Sequence, residues 1–269
     1  MDMPDPAETY ESFMVPTMFE PMANHLLEFA APRDGERVLD LACGTGVVAR
    51  KLAARSGPGH HIVGLDFDSR MLAVARAAAL RDGLTIDWHE GDAAALPFPN
   101  RSFNVVLCQM AMQFLPDRHK AMIEANRVLV PGGRIALNAW YGLDRNPFQH
   151  ALNEATSRHL GVGMLVEPFC LDDPDEVAGI LRTAGFIDVV VAPVQIVIKH
   201  PDPDLYLTRQ ILGSSAVLAP TKALDASKLS ELAEAIREDM GSALQAHTFN
   251  GHLEIPLSGY MISAKRPTS

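Results

Sequence analysis

The sequence predicts an α/β fold with a seven-stranded, mostly parallel sheet. Short apolar runs alternate with helical segments from residue 37 to residue 141. This alternation implies parallel strands, right-handed crossovers and helices on both faces of the sheet. The chain has 269 residues, of which 48% are hydrophobic, an ordinary globular composition. This length suffices for one large domain with an elaborated cap, or for two small domains.

The strands follow from apolar runs that are bounded by turn residues. The first, RVLDLA at residues 37–42, is followed at once by glycines, which is typical of a buried strand. The seven strands are expected at residues 37–42, 61–66, 84–89, 103–108, 134–140, 187–199 and 253–264.

The helices follow from apolar spacing and from their capping residues. The clearest start is Asp173-Pro174-Asp175-Glu176, which supplies an N-cap, a first-turn proline and a capping-box glutamate. At the N-terminus we expect a frayed segment of ten residues and then one or two helices over 12–30, broken at Pro16 and Pro21. The other helices are expected at residues 47–55, 69–80, 117–129, 145–161, 203–213 and 228–244.

No linker, repeat or low-complexity tract divides the chain into two domains. We expect a core of residues 33–199 and 251–266, with an N-terminal helical cap at residues 1–32. Residues 141–172 and 200–250 are expected to form cap insertions. Ligands of such sheets bind beyond the carboxyl ends of the strands, so the cap elements should enclose a site there.

Charge and cysteine content narrow the function. The net charge of −10 repels phosphate backbones, so a nucleic-acid partner is disfavoured. The three cysteines form no even framework, and we expect reduced thiols in a cytoplasmic protein. Residues 1–12 do not read as a signal peptide, no apolar run is long enough for a membrane span, and no metal-ligand spacing is visible. A homodimer is left open.

The strongest local pattern is the glycine-rich loop at residues 40–46, Asp-Leu-Ala-Cys-Gly-Thr-Gly, between the first strand and the first core helix. Glycines let a backbone approach a ligand closely, and the next helix presents free N–H groups. The same loop satisfies the dinucleotide pattern G-x-G-x-x-A from Gly44 to Ala49, with Asp66 twenty residues after Gly46. A nicotinamide-dependent oxidoreductase is therefore a competing interpretation.

Two acidic residues bear on the choice between a dinucleotide and another adenosine-containing cofactor. Asp40 ends the first strand, where a carboxylate would repel a pyrophosphate but attract the ammonium and sulfonium of S-adenosylmethionine. Asp66 ends the second strand, where it can accept both hydroxyls of a ribose. Asp66 therefore indicates an adenosine-type ligand without choosing between the two cofactors.

Three further segments resemble the UbiE-like class I S-adenosylmethionine-dependent methyltransferases. They are residues 90–98 (EGDAAALPF), residues 102–106 (SFNVV) and residues 127–133 (RVLVPGG), in the order and spacing of the family. The resemblance covers residues 35–141 well and the remainder only by architecture. It implies a Rossmann-like sheet whose last strand is antiparallel, S-adenosylmethionine as cofactor, and a small-molecule methyl acceptor.

The resemblance also implies where the methionine and ribose ends of the cofactor bind. Asp40 would hold the methionine ammonium through water, and Asp66 would bind the ribose. Ala42, Gly44 and Gly46 would line the methionine end. Ala42 stands where the family has the first glycine of its loop, a change that alanine is small enough to allow.

The adenine would lie against the next segment, by the same resemblance. Phe67 and Met71 would pack near the ring. Within Gly91-Asp92-Ala93, the Asp92 carboxylate would accept from the adenine amino group, and the Ala93 N–H would face a ring nitrogen.

The resemblance places the remaining cofactor contacts at the end of strand four and in the N-terminal cap. Cys108 and Gln109 would pass beside the sulfonium, with Gln113 close by. Tyr10 would close over the cofactor carboxylate. Asn104 replaces a structural acid of the family and should keep one side of its hydrogen bonding.

No residue stands out as the general base that a hydroxyl acceptor would need. The candidates are His119, His150 and Tyr141. Several methionines and aromatic residues near the expected cap indicate an apolar or aromatic acceptor, of the quinone-like or natural-product type, methylated on O, C or N. The alternatives to methyl transfer are the oxidoreductase, a non-catalytic protein that binds the cofactor, and an RNA methyltransferase, which the charge disfavours.

Overall fold

The computed structural model describes residues 5–56, 61–214, 221 and 223–268. The strands are β1 (Arg37–Leu41), β2 (His61–Asp66), β3 (Asp87–Glu90), β4 (Phe103–Gln109), β5 (Leu129–Trp140), β6 (Ile187–His200), β7 (Thr248–Phe249) and β8 (His252–Lys265). The α-helices are α1 (Pro6–Thr9), α2 (Glu20–Ala30), α3 (Val47–Ser56), α4 (Ser69–Arg81), α5 (Arg118–Val128), α6 (Pro147–Leu160), α7 (Pro174–Thr183), α8 (Pro203–Ser214), α9 (Ala226–Asp239) and α10 (Gly241–Ala246).

The strands form one sheet in the order β3-β2-β1-β4-β5-β8-β6, with the short β7 paired to β8. Strands β1 to β5 are parallel, and β8 runs antiparallel between β5 and β6. The expected mostly parallel sheet with an antiparallel last strand is thereby confirmed. The antiparallel strand lies inside the sheet, and β6 forms its edge.

Strand β1 is central, and its burial explains its apolar sequence. Val38 pairs with Ile62 of β2 on one side and with Val105 of β4 on the other. Residues 38–41 of β1 are all buried, as expected for a parallel strand covered on both faces. Asn104 accepts a hydrogen bond from the backbone N–H of Arg37 at 2.9 Å, the one-sided bonding expected for this asparagine.

The predicted breaks at Pro16 and Pro21 are wrong. The chain runs from α1 through a π-helix over Tyr10–Phe19 directly into α2. Pro16 lies within the π-helix, where the Thr17 hydroxyl donates to the Phe13 carbonyl at 2.7 Å. Pro21 lies in the first turn of α2, where a helix needs no N–H donor.

Three other elements differ from the sequence prediction. Strand β5 begins at Leu129 rather than at residue 134, so it includes Pro131-Gly132-Gly133. A shift of register between Phe103 and Val105 accommodates the extra residues. Strand β3 is shorter than expected, at Asp87–Glu90. The single helix expected over 228–244 is two helices, α9 and α10, separated at Met240.

The N-terminal helices pack with α6, α8 and α9 on one large apolar cluster that also contains residues of β1, β4 and β8. The division into core and caps stays a prediction, and residues 1–4, 215–220 and 222 of the expected caps lie outside the described residues. Within the described ranges, no helix is long and apolar enough to cross a membrane.

Asn146 ties the start of α6 to β8. The residue is fully buried, and its side-chain N–H groups donate to the carbonyls of Tyr141, Gly142 and Ser258 at 2.9–3.1 Å. Its Oδ1 accepts from the Ser258 N–H at 2.7 Å. This asparagine therefore holds the start of α6 to strand β8.

We expect Asn146→Ala to lower the free energy of unfolding by about 3 kcal/mol, because it leaves several buried backbone groups without partners. Urea unfolding followed by circular dichroism measures the change. The control is Asn24→Ala, which removes one exposed hydrogen bond to Arg55 and should cost less than about 0.5 kcal/mol. Equal effects of the two substitutions would contradict the assignment.

Candidate active site

A cavity of about 620 Å³ opens at the carboxyl ends of β1, β2 and β4, the edge where parallel sheets bind ligands. Strand ends and the loops after them form one side of the wall, and the π-helix, α6 and α8 form the other. Of the residues that the sequence assigned to the cofactor, the wall contains Tyr10, Asp40, Ala42, Gly44, Asp66, Phe67, Met71, Gly91, Asp92, Ala93, Gln109 and Gln113.

The glycine-rich loop makes a tight turn at the end of β1. Ala42, Gly44 and Gly46 all have positive φ, at 54°, 54° and 77°. A Cβ at Gly44 would meet no atom within 4 Å, so the space beside this residue is open to a ligand. A Cβ at Gly46 would instead collide with the Trp88 ring. Gly46 is therefore required by packing against β3 and lies outside the cavity wall.

Ala42 carries backbone strain. Left-handed φ costs a non-glycine residue roughly 1–2 kcal/mol. Met110, just after β4, is also left-handed, with φ of 48°, and its N–H donates to Asn138 at 2.9 Å. Both residues line the cavity, and strained backbone of this kind concentrates at functional sites.

The carboxylate of Asp40 is buried at the end of β1, with 1% of its surface exposed. Its Oδ2 accepts a hydrogen bond from the Ala49 N–H of α3 at 3.0 Å. Burial, assisted by repulsion from Asp66, raises the pKa of Asp40 to about 7 despite that hydrogen bond. A cation bound in the cavity would favour the ionised form.

Asp66 is buried beside it at the end of β2. Its Oδ2 accepts from the Gly44 N–H at 2.7 Å and its Oδ1 from the Asp68 N–H at 2.9 Å. Burial raises the pKa of this carboxyl as well, against the effect of these hydrogen bonds. Each oxygen keeps a lone pair, so the carboxylate can still accept from two ligand hydroxyls.

The charge of the wall selects among ligands. Five acids line the cavity, and its described lining contains no lysine, arginine or histidine. Asp68 is paired with Arg70, whereas the other four acids form no ion pair among the described residues. Such carboxylates attract a cationic ligand and repel a pyrophosphate. The acids are Asp40, Asp66, Asp68, Asp92 and Glu167.

The expected adenine subsite has an exposed aromatic ring and a short turn. Phe67 is 76% exposed at the rim, whereas Met71 of α4 is buried. The Gly91 N–H donates to the Asp66 carbonyl at 2.9 Å, which holds the segment after β3 beside β2. Asp92 accepts from the Ala94 N–H at 2.8 Å, so one of its oxygens closes the turn and the other remains for a ligand.

The end of β4 joins the cavity to the N-terminal cap. The Gln109 Nε2 donates to the Phe19 carbonyl at 3.0 Å, and the Gln113 Nε2 donates to the Met110 carbonyl at 2.9 Å. The Oε1 atoms of both glutamines are buried without partners within the described residues. Tyr10 stacks on Phe19 with 5.2 Å between ring centroids, which places the phenol in the wall.

Four other expected site residues lie elsewhere. Cys108 is fully buried in the core, outside the wall, and burial raises the pKa of its thiol to about 12. His119 is exposed on α5. His150 is exposed and lines a separate cleft. Tyr141 packs against Tyr260 and lies under the Arg145 guanidinium.

The sequence missed the residues that the cap contributes to the wall. Gln149 and Leu152 come from α6, and Tyr206 and Gln210 come from α8. Helical spacing identifies the buried face of each helix but does not show which part of that face meets a cavity. Trp140 and Phe169 also line the cavity, and their rings stack with centroids 6.3 Å apart.

Comparison with known proteins agrees with this geometry. Residues 38–133 match a family model described as a methyltransferase domain. The chain is 36% identical over 167 residues to a demethylmenaquinone methyltransferase of Deinococcus radiodurans, covering 56% of this chain and 67% of that protein. It is 33% identical over 187 residues to a nocamycin O-methyltransferase of Saccharothrix syringae, covering 64% of this chain and 66% of that protein.

The fold has counterparts among solved structures. The YcgJ protein of Bacillus subtilis superposes with a TM-score of 0.61 at 20% identity, over 92% of this chain and 98% of that one. Identity this low shows the fold alone. The chain spans 50–66% of the length of the first curated relatives that it matches.

Sheet order, glycine-rich loop and anionic cavity together define a class I nucleoside-binding fold of the methyltransferase type. Within that class, the chain belongs to the UbiE-type S-adenosylmethionine-dependent methyltransferases. The resemblance in the sequence is thereby confirmed, and the nicotinamide alternative is not supported. S-adenosylmethionine is the cofactor of the family, and the wall fits it, because an ammonium and a sulfonium suit unpaired buried carboxylates.

The raised pKa of Asp40 makes stability depend on pH. The folded state holds this proton up to about pH 7, whereas the unfolded chain releases it near pH 3.8. The unfolded state therefore binds fewer protons between these values, and stability falls as the pH rises through that window. Replacing Asp40 with a neutral residue should therefore remove this loss of stability at high pH.

We expect Asp40→Asn to stabilise the cofactor-free protein at pH 8, by roughly 2 kcal/mol more than it does at pH 5. Urea unfolding at the two pH values measures the difference. Asp117→Asn, at an exposed helix cap, is the control and should show no such increase at the higher pH. A gain for Asp40→Asn that is the same at both pH values would contradict the burial argument.

Proposed function

We propose that this protein catalyses S-adenosylmethionine-dependent methylation of a small apolar or aromatic molecule, on an oxygen, carbon or nitrogen atom. The observation that carries the proposal is the two-sided cavity. Its acidic side comes from the strand ends, and its apolar side comes from the cap. A cationic cofactor and an apolar acceptor would therefore meet in one enclosed space.

The acidic side would hold the cofactor. Asp66 would accept from the ribose hydroxyls, and Asp40 would attract the methionine ammonium. Phe67 and Met71 would pack on the adenine, and Gly44 leaves the backbone open to the methionine end. When bound, the cofactor supplies a methyl group on a sulfonium, which is already an activated leaving group.

The apolar side would align the acceptor and exclude water from it. Alignment of reacting groups can contribute roughly 7–11 kcal/mol in favourable cases. Met14, Met18, Trp140 and Phe169 supply this surface. Methionines adapt to irregular apolar ligands.

The proposed acceptor needs little help from a general base of the protein. No histidine stands in the described wall, and burial raises the pKa of Tyr10 and of Tyr206, which keeps both phenols neutral. We therefore propose an acceptor that ionises readily, such as an acidic hydroxyl or a stabilised carbanion, rather than one that needs His119, His150 or Tyr141 as a base. The names of the relatives, a demethylmenaquinone and a nocamycin methyltransferase, support a quinone-like or natural-product acceptor.

The proposal extends to location and organisation. The net charge of −10 favours a small molecule over nucleic acid, and the three free cysteines favour the reducing cytoplasm. We also propose that residues 1–32, 141–172 and 200–250 act as caps on a core of residues 33–199 and 251–266, since cap and core residues share the cavity wall.

Thermal unfolding with added ligands tests the cofactor. We expect S-adenosylmethionine at 100 times its Kd to stabilise the protein by about 2.7 kcal/mol, and NAD to leave the Tm unchanged. Incubation of a cell extract with methyl-labelled cofactor and the protein, followed by mass spectrometry, identifies the methylated product. Stabilisation by NAD alone would refute the proposal, and cofactor binding without any labelled product would indicate a binding protein.

The ribose assignment has its own test. We expect Asp66→Ala to weaken binding of S-adenosylmethionine by roughly 1.5–3 kcal/mol, because it removes a charged hydrogen-bond acceptor. Titration calorimetry measures the affinity, and Asp87→Ala, on the exposed surface of β3, serves as control. Unchanged affinity in Asp66→Ala would count against the assignment.

A further inference from the structure

Two buried glutamines on the cap side of the cavity have no structural partner. Gln149 of α6 and Gln210 of α8 are each 5% exposed, and both line the cavity. Their Oε1 atoms are buried without a hydrogen bond among the described residues. Each amide therefore keeps a buried oxygen that has no partner in the described part of the protein.

Packing does not explain these amides. Their neighbours in the wall, Phe148, Leu152 and Tyr206, form an apolar surface into which leucine or methionine would fit without cost. A buried amide without a partner destabilises the folded state, and such groups are rare in native proteins. Two of them in one cavity wall point to a ligand that supplies the missing hydrogen bonds.

The glutamines at the cofactor side differ from this pair. Gln109 and Gln113 each donate an Nε2 hydrogen bond to a backbone carbonyl, so their side chains are anchored by the protein. Gln149 and Gln210 have no such anchor. Their amides are free to turn toward a ligand, and each can offer an N–H donor or a carbonyl acceptor.

The two helices bring the pair to one side of the site. The rings of Phe148 and Tyr206 meet with centroids 6.3 Å apart, which joins the start of α6 to α8. Gln149 follows Phe148 directly, and Gln210 lies one turn after Tyr206, on the same face of α8. The cofactor carboxylates, by contrast, lie at the ends of β1 and β2.

We propose that Gln149 and Gln210 form the polar anchor of the acceptor site, where they bind a hydroxyl or carbonyl oxygen on an otherwise apolar, aromatic acceptor. This inference rests on the proposed function and deepens it. The apolar wall supplies affinity for the ring system, and the two amides determine the orientation in which the acceptor binds. A ring system without an oxygen substituent leaves both amides unsatisfied and binds more weakly.

The test uses two probes of the same shape, 2-naphthol and 2-methylnaphthalene. Equilibrium dialysis measures both Kd values for the full chain, with and without saturating S-adenosylhomocysteine. We expect the wild-type protein to prefer 2-naphthol by roughly tenfold, the value of one hydrogen bond to a buried amide. Gln149→Met and Gln210→Met, which keep side-chain length, should each reduce that preference to about twofold.

The matched control is Gln195→Met. This glutamine lies on β6, outside the cavity wall, and donates a hydrogen bond to the Ser258 hydroxyl at 3.1 Å. Its substitution should leave the tenfold preference intact. The affinity of 2-methylnaphthalene should stay the same or increase in the two cavity variants, because methionine offers an apolar surface.

Thermal unfolding of the ligand-free variants separates binding from structure. If the amides serve a ligand, Gln149→Met and Gln210→Met keep the wild-type Tm or raise it by about 2–4 °C. A structural amide would lower the Tm when replaced. A fall in Tm in both variants therefore overturns the proposal.

The other outcomes are equally decisive. A preference for 2-naphthol that survives in both cavity variants overturns the anchor, as does a wild-type protein that binds the two probes equally or binds neither. Failure of S-adenosylhomocysteine to bind counts against the proposed function instead. Because the dialysis is also run without it, the two failures are distinguishable.

Discussion

The burial of two carboxylates at the carboxyl edge of the sheet is the constraint around which the site is built. Asp40 and Asp66 are both buried at the ends of adjacent strands, and burial, assisted by repulsion from Asp66, raises the pKa of Asp40. Backbone N–H groups from Gly44, Asp68 and Ala49 hold them in place. The glycine-rich loop turns sharply to bring the Gly44 N–H to Asp66, and within this turn Ala42 adopts a left-handed conformation. A bound cation would offset the charge of the ionised carboxylates.

The N-terminal π-helix, α6 and α8 cover this charged edge and complete the cavity. The N-terminal π-helix contributes Tyr10, Met14, Met18 and Phe19 to the wall, and Gln109 fixes it by donating to the Phe19 carbonyl. π-Helical turns are rare and concentrate at functional sites. Enclosure lowers the local dielectric, which strengthens the attraction between the carboxylates and a bound cation and keeps water from the acceptor. In the same apolar surroundings, the unsatisfied amide oxygens of Gln149 and Gln210 lower the stability of the folded protein. This cost is the reason for inferring that they bind a ligand.

Sequence patterns predicted the core well and the cap less well. Strand ends were readable because a buried parallel strand is a short apolar run, so Asp40 and Asp66 could be assigned to one edge of the sheet. The candidate bases His119 and His150 were chosen by position along the chain, and the structure leaves both exposed and outside the wall. Pro16 was expected to end a helix, but a π-helix accommodates it. These differences arise where packing between distant segments overrides local preference.

The sequence by itself determined the fold class, the cofactor family and the acids at the carboxyl edge of the sheet, because these depend on alternating strands and helices and on residues adjacent along the chain. Only the tertiary structure decided which residues of the cap face the cavity. Gln149 and Gln210 are separated by about sixty positions and share no motif. Each lies on an amphipathic helix whose buried face reads like ordinary core. Whether a buried position meets another side chain or an empty space depends on how α6 and α8 pack over the sheet, and no local pattern encodes that.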